Sequence, residues 1–250
     1  MEFTDDAILL STRRHGESAA LAVLLTRTHG RHAGLVRGGA SRRWTPLLQP
    51  GAEFRVRWGA RLAEHLGHWT LEPGRSHAAG LLEDAGRLAA LAAACALTEA
   101  ALPEREPHPA LYEGLRALLG ALDSVTDAPE WGQLYVRWEL GLLRELGFGL
   151  DLTRCAVTGA TEGLTHVSPN TGRAVSAAAA APYAERLLRL PGFLGGAAGA
   201  NDAAAELRAG LVLTGHFLLG QVFAPHRLAP PGARARLVSF FTRDATRAGV

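Results

Sequence analysis

The sequence contains no lysine; all 26 of its fixed positive side chains are arginine. A P-loop places the lysine of G-x-x-x-x-G-K-[ST] on the phosphates, so nucleotide hydrolysis of that kind is excluded. Cysteine is nearly absent too: Cys95 and Cys155 are the only two, too few for a disulfide framework. There is no G-x-S-x-G elbow and no H-E-x-x-H pair, and with them go the chemistries those signatures support. The opening residues Met1-Glu2-Phe3-Thr4-Asp5-Asp6 are acidic and lack the apolar core of a secretory leader. The apolar runs near Ala89–Leu97 and Leu211–Val222 are too short, or too interrupted by His216 and Gln221, to span a bilayer. A cytoplasmic protein without a membrane partner is expected.

What is present is a concentration of positive charge. Arg13, Arg14, Arg27, Arg31, Arg37, Arg42, Arg43, Arg55, Arg57 and Arg61 stand against only Glu17 and Glu53, a local net charge of +8 in a chain whose total is +2. Residues 1–80 carry 11 arginines and 7 acids, residues 81–165 carry 6 and 13, and residues 166–250 carry 9 and 4. Such asymmetry implies one face for a polyanion and another for a different partner. The arginine fork suits phosphate oxygens and stacks on bases. A basic β-surface that also carries Trp44 and Trp58 is one a nucleic-acid backbone binds, and an ordinary solvated arginine face is the competing reading.

The front of the chain reads as β. Ala7–Thr12 and Ala19–Thr28 are apolar runs joined by the turn His15-Gly16-Glu17-Ser18. Arg31–Arg37 alternates in part and is broken by Gly38-Gly39. Phe54-Arg55-Val56-Arg57-Trp58 is the clearest period-2 strand, with Phe54, Val56 and Trp58 on one face and the arginines on the other. Leu66–Glu72 is a fifth strand. Five short strands in about seventy residues, with glycine-rich corners, predict a small barrel of the OB type. From His77 the spacing turns helical. Helices are expected from about His77 until Pro103 ends the element, over about Pro109–Leu122 and, from an Asp127 cap, as far as Gly147; later helices are expected at about 182–190, 202–223 and 234–247. The predicted fold is α+β in two parts: an OB-fold β-barrel over residues 1–76, then an all-α helical domain over 77–250. A loop-rich insert at about 150–181 interrupts it, and the Ala177–Ala181 and Gly195–Ala200 stretches are expected only to connect elements.

Candidate chemistry is sparse. His65 and His68, three apart in a predicted strand, point to opposite faces and share no metal. His29 and His32 flank a turn and are expected to add to the basic surface. Cys95, among Ala and Leu in a helix, reads as a buried inert thiol. The insert has the layout of a zinc ribbon, C-x-x-C followed by a second C-x-x-C about twenty residues on. Cys155 holds one ligand position, and Thr158, Ser176 and Ala179 hold the others. A tetrahedral thiolate site cannot be built from one cysteine, so a metal-free ribbon held by packing and turn hydrogen bonds is expected.

At this point the chain resembles the RecO family of bacterial recombination mediators. The resemblance is carried by the opening strand through Leu9, His15-Gly16-Glu17-Ser18, Leu25-Thr26, Gly30, Gly34 to Arg43, and Leu47-Leu48-Gln49-Pro50-Gly51. It continues in Trp138-Glu139-Leu140, Leu143 to Gly147, Leu150-Asp151-Leu152 and Cys155. It implies an N-terminal OB-fold, a C-terminal helical domain and, in some members, a zinc. It further implies binding of single- and double-stranded DNA, strand annealing, and partnership with RecR and with the C-terminal tail of single-stranded DNA-binding protein. Recombinase loading onto coated strands would follow, with the protein at the nucleoid.

The expected function is that of a non-enzymatic DNA repair and recombination mediator without a cofactor. The candidate DNA-binding residues are Arg13, Arg14, Arg31, Arg37, Arg42, Arg43, Trp44, Arg55, Arg57 and Arg61. Trp44, beside Arg42-Arg43 in a loop, is the better candidate for base stacking; Trp58 shares its face with Phe54 and Val56 and is the better core residue. An RNA-binding OB-fold protein and a scaffold for acidic protein tails are the rival readings. The last segment, with Arg227, Arg234, Arg236, Arg243 and Arg247 near Leu228, Leu237, Phe240 and Phe241, offers either a groove for an acidic-apolar peptide or simply the closing side of the helical core.

Overall fold

The computed structural model describes residues 1–62, 65–197 and 202–247, the side chains of 243–247 excepted. The chain forms two compact units, Met1–Val125 with Pro231–Arg234, and Thr126–Pro230 with Ala235–Val250.

The first unit is built on β1 (Glu2–His15), β2 (Ala19–Thr26), β3 (Gly30–Val36), β4 (Glu53–Gly59) and β5 (Gly67–Pro73), which close into a barrel in the order β1-β2-β3-β5-β4. Neighbouring strands are antiparallel except β3 and β5, whose parallel rungs Gly34–Gly67, Leu35–His68 and Val36–Trp69 shut the barrel. This is the OB-like barrel the strand pattern predicts. The β4 alternation holds residue by residue: Phe54, Val56 and Trp58 are buried, Arg55 and Arg57 exposed.

Two indoles fill the interior. Trp58 donates its N–H to the Ala33 carbonyl at 3.1 Å and Trp69 to the Ala22 carbonyl at 3.2 Å. The rings meet with centroids 6.4 Å apart. Burying an indole contributes roughly 4–6 kcal/mol at ~25 cal/mol per Å². Glycine makes the room: a Cβ on Gly67 would stand 2.2 Å from the Trp58 ring, and one on Gly34 would stand 2.7 Å from that of Trp69.

Helices α1 (Ala85–Ala101) and α2 (Pro109–Ser124) belong to the same unit. The Asp84 carboxylate caps α1 by accepting the Arg87 N–H at 2.9 Å. On α1, Cys95 is fully buried and its thiol faces the Leu9 carbonyl of β1 at 3.9 Å. Burial pushes that thiol up to about 12, so it stays neutral and inert, as its apolar surroundings in the sequence predict.

In the second unit α3 (Ala128–Glu145) starts at Asp127, whose carboxylate accepts the Glu130 N–H. Trp131, Tyr135, Trp138 and Leu142 form its buried face. After α3 the insert is more ordered than its composition suggests. β6 (Leu164–Val167) pairs with β7 (Ala174–Ser176), and one turn of helix, α4 (Ala177–Ala180), follows. The helix expected at 182–190 is absent; Ala181–Arg186 is a 3₁₀ stretch and β8 (Leu188–Arg189) pairs with β6. Pro182 lacks the N–H that a longer helix would use. α5 (Ala203–Phe217) is capped by Asp202 and runs into a π-helical stretch, Leu218–Phe223. α6 (Gly232–Arg247) brings Phe240 and Phe241 onto Trp131, with ring centroids 6.3 and 5.0 Å away. These two aromatics close the helical core rather than floor a groove. Residues 198–200 of the expected connector and the side chains of Arg243 and Arg247 lie outside the described residues.

Gly67→Ala should cost more than about 2 kcal/mol of unfolding free energy, because the new methyl must displace a buried indole. Gly59→Ala, where a Cβ would meet nothing nearer than 4.0 Å, should be close to neutral. Urea unfolding followed by tryptophan fluorescence compares the two.

Candidate nucleic-acid interface

The arginines of the first unit fall into two sets. The β4 pair, Arg55 and Arg57, projects from the outer face of the sheet, where the neighbouring strand β1 presents carboxylates. Arg55 meets Asp6 at 2.9 Å, and Arg57 pairs with Glu2. Hydrogen bonds donated to these carboxylates raise both guanidinium groups above their ordinary range, and Arg57 in turn holds Glu2 below its own. Arg31 is half-buried, donates from Nε to the Leu102 carbonyl at 3.0 Å and faces Glu104 at 3.5 Å. Arg27 meets Glu113 at 2.8 Å. Each of these positive charges has an internal partner.

Arg13, Arg14, Arg37, Arg42 and Arg43 differ: all are exposed, and none has a carboxylate partner among the described residues. Arg13 and Arg14 end β1 and lead into the turn at Gly16, whose φ of +61° suits glycine. Arg37 follows β3, and Arg42 and Arg43 lie in the tight turns after it. Two hydrogen bonds fix that connection: Gly39 N–H to the Val36 carbonyl at 3.1 Å and Ala40 N–H to the Ser18 carbonyl at 3.0 Å. The second ties the β3–β4 connection to the β1–β2 hairpin, which gathers the five arginines at one end of the barrel. Glu17 is the acid in this group, and Arg14 donates to its backbone carbonyl at 3.0 Å. Arg61 is exposed in the β4–β5 connection, which rejoins the sheet where Gly67 pairs with Gly34.

The aromatic candidates are drawn inward. Trp58 is fully buried. Trp44 is half-buried and packs against the barrel core, which leaves only part of its ring for stacking. The histidines are also not the basic surface their turn suggests. His29 lies over Phe3, ring centroids 3.9 Å apart, and meets the Asp5 carboxylate at 2.8 Å. Burial alone would raise the Asp5 carboxyl; hydrogen bonds from His29, from Thr28 and from the Asp6 N–H outweigh it and hold the group below its ordinary range. His32 occupies an inward position of β3 and is 3% exposed. Its burial, with the nearby Arg105 charge, lowers the imidazole to about 4 and keeps it neutral.

A pocket that the sequence reading did not single out lies in the second unit. Arg137, Leu140, Gly141 and Arg144 of α3, with Gly149, Leu150 and Leu152, line a pocket of about 280 Å³. The signal was legible: those α3 positions are spaced i, i+3, i+4 and i+7, on the side of the helix away from Trp131, Trp138 and Leu142.

The insert does not fit the zinc implied for some relatives. The Cys155 sulfur accepts the N–H groups of Thr158 and Ser176 at 3.4 and 3.2 Å, and Thr158, Ser176 and Ala179 supply no thiolate. Burial disfavours the thiolate, yet the Ser176 and Thr158 donors prevail and hold the thiol near 6. Among the described residues no group of three or more His, Cys, Asp or Glu is placed to hold a metal ion.

Comparison with known proteins agrees along the whole length. A family model described as Recombination protein O N terminal matches residues 1–72, and one described as Recombination protein O C terminal matches residues 82–229. The DNA repair protein RecO of Rhodospirillum centenum is 56% identical over 252 residues, covering 100% of this chain and 98% of the relative. The proteins of the same name from Cereibacter sphaeroides strain KD131 and from Phenylobacterium zucineum are 54% and 50% identical; the alignments cover 97% and 95% of this chain and 99% and 96% of the relatives.

The buried His32 makes stability depend on pH. Its ordinary value is 6.5 and its value in the barrel is about 4, so between these limits the unfolded chain takes up a proton that the folded one refuses. This contribution is complete above 6.5 and is lost as pH falls toward 4. Urea unfolding from pH 7 to pH 4 should show a steeper loss for the wild type than for His32→Leu; equal slopes would count against the buried neutral ring.

Proposed function

We propose, for a chain that belongs to the RecO family of DNA repair proteins, that the five arginines at the hairpin end of the barrel form its DNA-binding surface. The observation that carries this reading is their lack of carboxylate partners among the described residues, in contrast to the paired Arg31, Arg55 and Arg57. Phosphate oxygens can pair with these guanidinium groups and release condensed counterions, which yields affinity independent of sequence. Arg61 extends the track along the β4–β5 connection, and the exposed part of Trp44 offers a base-stacking edge. Single- and double-stranded DNA both present the phosphates required, and neutralising two strands on one protein lowers the repulsion that opposes annealing. The phosphate-binding part corresponds to residues 1–76, with residues 77–250 as the helical part.

The mediator role needs partners as well. RecR and the C-terminal tail of single-stranded DNA-binding protein are the partners proposed for it, with recombinase loading onto coated strands as the outcome. The α3 pocket suits the tail: Leu140, Leu150 and Leu152 offer an apolar wall, and Arg137 and Arg144 supply charge for an acidic peptide. It lies in a different compact unit from the arginine cluster.

Replacing Arg37, Arg42 and Arg43 together with Ala should weaken binding alike across DNA sequences and reduce the salt slope by about 3, at ~0.9 per phosphate contact. Replacing Arg55 and Arg57 should change the slope far less. Fluorescence anisotropy over a salt series with single-stranded and duplex DNA separates the two variants, and the reverse order would move the DNA surface to the β4 face. Leu140→Asp should abolish binding of a tail peptide without changing DNA affinity. Stoichiometric competition between peptide and DNA at fixed salt would show that one surface serves both.

A further inference from the structure

The insert has the sequence layout of a zinc ribbon without the ligands for one. Gly159 takes a φ of +74°, its N–H bonds to the Cys155 carbonyl at 2.9 Å, and the Cys155 N–H bonds to the Ala160 carbonyl at 2.7 Å. Cys155 sits inside this turn, 1% exposed. The N–H groups aimed at it come from two places: Thr158 in the same turn, and Ser176 at the end of β7, 21 residues further along the chain. A second tie, Ala156 N–H to the Ala174 carbonyl at 2.8 Å, joins the same two segments.

We infer that the Cys155 sulfur replaces a metal ion as the hub of the insert, joining the Cys155–Gly159 turn to β7 through two N–H···S hydrogen bonds. The chemistry balances without a cation. Four thiolates would repel one another and need a divalent ion at their centre. Here three of the four positions are neutral, and the one sulfur is served by backbone N–H dipoles. Ser176 is buried, and a buried donor left without an acceptor is costly, so Sγ is needed as an acceptor and not merely as apolar volume. The insert therefore assembles as the chain folds and has no requirement for zinc, unlike small domains whose metal drives their folding.

The test separates hydrogen bonding from packing, and it does not depend on DNA binding. Cys155→Val keeps an apolar side chain but strands both donors; Cys155→Ser keeps an acceptor and loses apolar volume. Thermal unfolding of the full chain should show Cys155→Val melting about 4 °C or more below the wild type, with Cys155→Ser between them. Wild-type melting should be the same with and without EDTA, and mass spectrometry of the native protein should find no stoichiometric zinc. A Cys155→Val protein melting at or above Cys155→Ser would make the sulfur ordinary packing and overturn the inference. A melting point lowered by EDTA, or about one zinc per chain, would overturn it as well.

Discussion

The barrel depends on two indoles and two glycines sharing one small space. Gly34 and Gly67 form the first rung of the parallel pairing that shuts the sheet, and Val36 and Trp69 form the last. Trp58 and Trp69 face each other across β4 and β5. Closure, filling and register are therefore a single interaction. A slip of one residue in β4 would turn Trp58 outward and Arg57 inward, exchanging a buried indole with a satisfied N–H for a buried guanidinium. The cost of that exchange fixes the direction of every side chain on the strand.

That register also decides which arginines can meet a polyanion. With Trp58 inside, Arg55 and Arg57 must lie outside, and the pairing sets Arg55 between Asp6 of β1 and Glu72 of β5. The outer β1–β4–β5 face is thereby close to charge balance. Among the described residues the arginines of the hairpin and the β3–β4 connection have no carboxylate partner, Glu17 meeting Arg14 only through its backbone carbonyl, and they keep their charge for solvent or ligand. The +8 of the segment is thus unevenly available. Exposed pairs screen one another at short range, while the unpaired group projects a field over about a Debye length, ~8 Å at physiological salt.

The legible parts of the sequence were those set by local rules. The β4 alternation and the Asp127 cap of α3 both read correctly because the deciding neighbours lie within a few residues. The ion pairs of Arg55 and Arg57 did not, because Glu2 and Asp6 arrive from a strand some fifty residues away and only the pairing register brings them close. The inward His32 was within reach: Gly30, His32, Gly34 and Val36 alternate as the buried positions of β3, but two glycines and a histidine make a weak apolar signal. β8 is only Leu188–Arg189, too short for any periodicity, and its place is decided by the free edge of β6. The α3 pocket went unread because the inner stripe of that helix accounts for its hydrophobic spacing and the outer Arg137–Arg144 stripe looks like solvated charge.

In the second unit the pocket and the insert are one construction. Leu150 lines the pocket, and the glycine conformation at 172, φ +68°, lets the backbone come so close to it that a Cβ there would stand 2.7 Å from the Leu150 side chain. Asp151 N–H bonds to the Gly172 carbonyl at 3.1 Å, and the Ala174 N–H returns to the Asp151 carbonyl at 2.9 Å. The Ala174 carbonyl then accepts the Ala156 N–H, one residue from the sulfur that holds Ser176. A continuous run of backbone hydrogen bonds thus leads from the Cys155 turn to the leucine wall beside α3. Helix α3 fixes the arginine side of the pocket through its own buried face, and the insert fixes the leucine side. The pocket keeps its shape only while both supports hold.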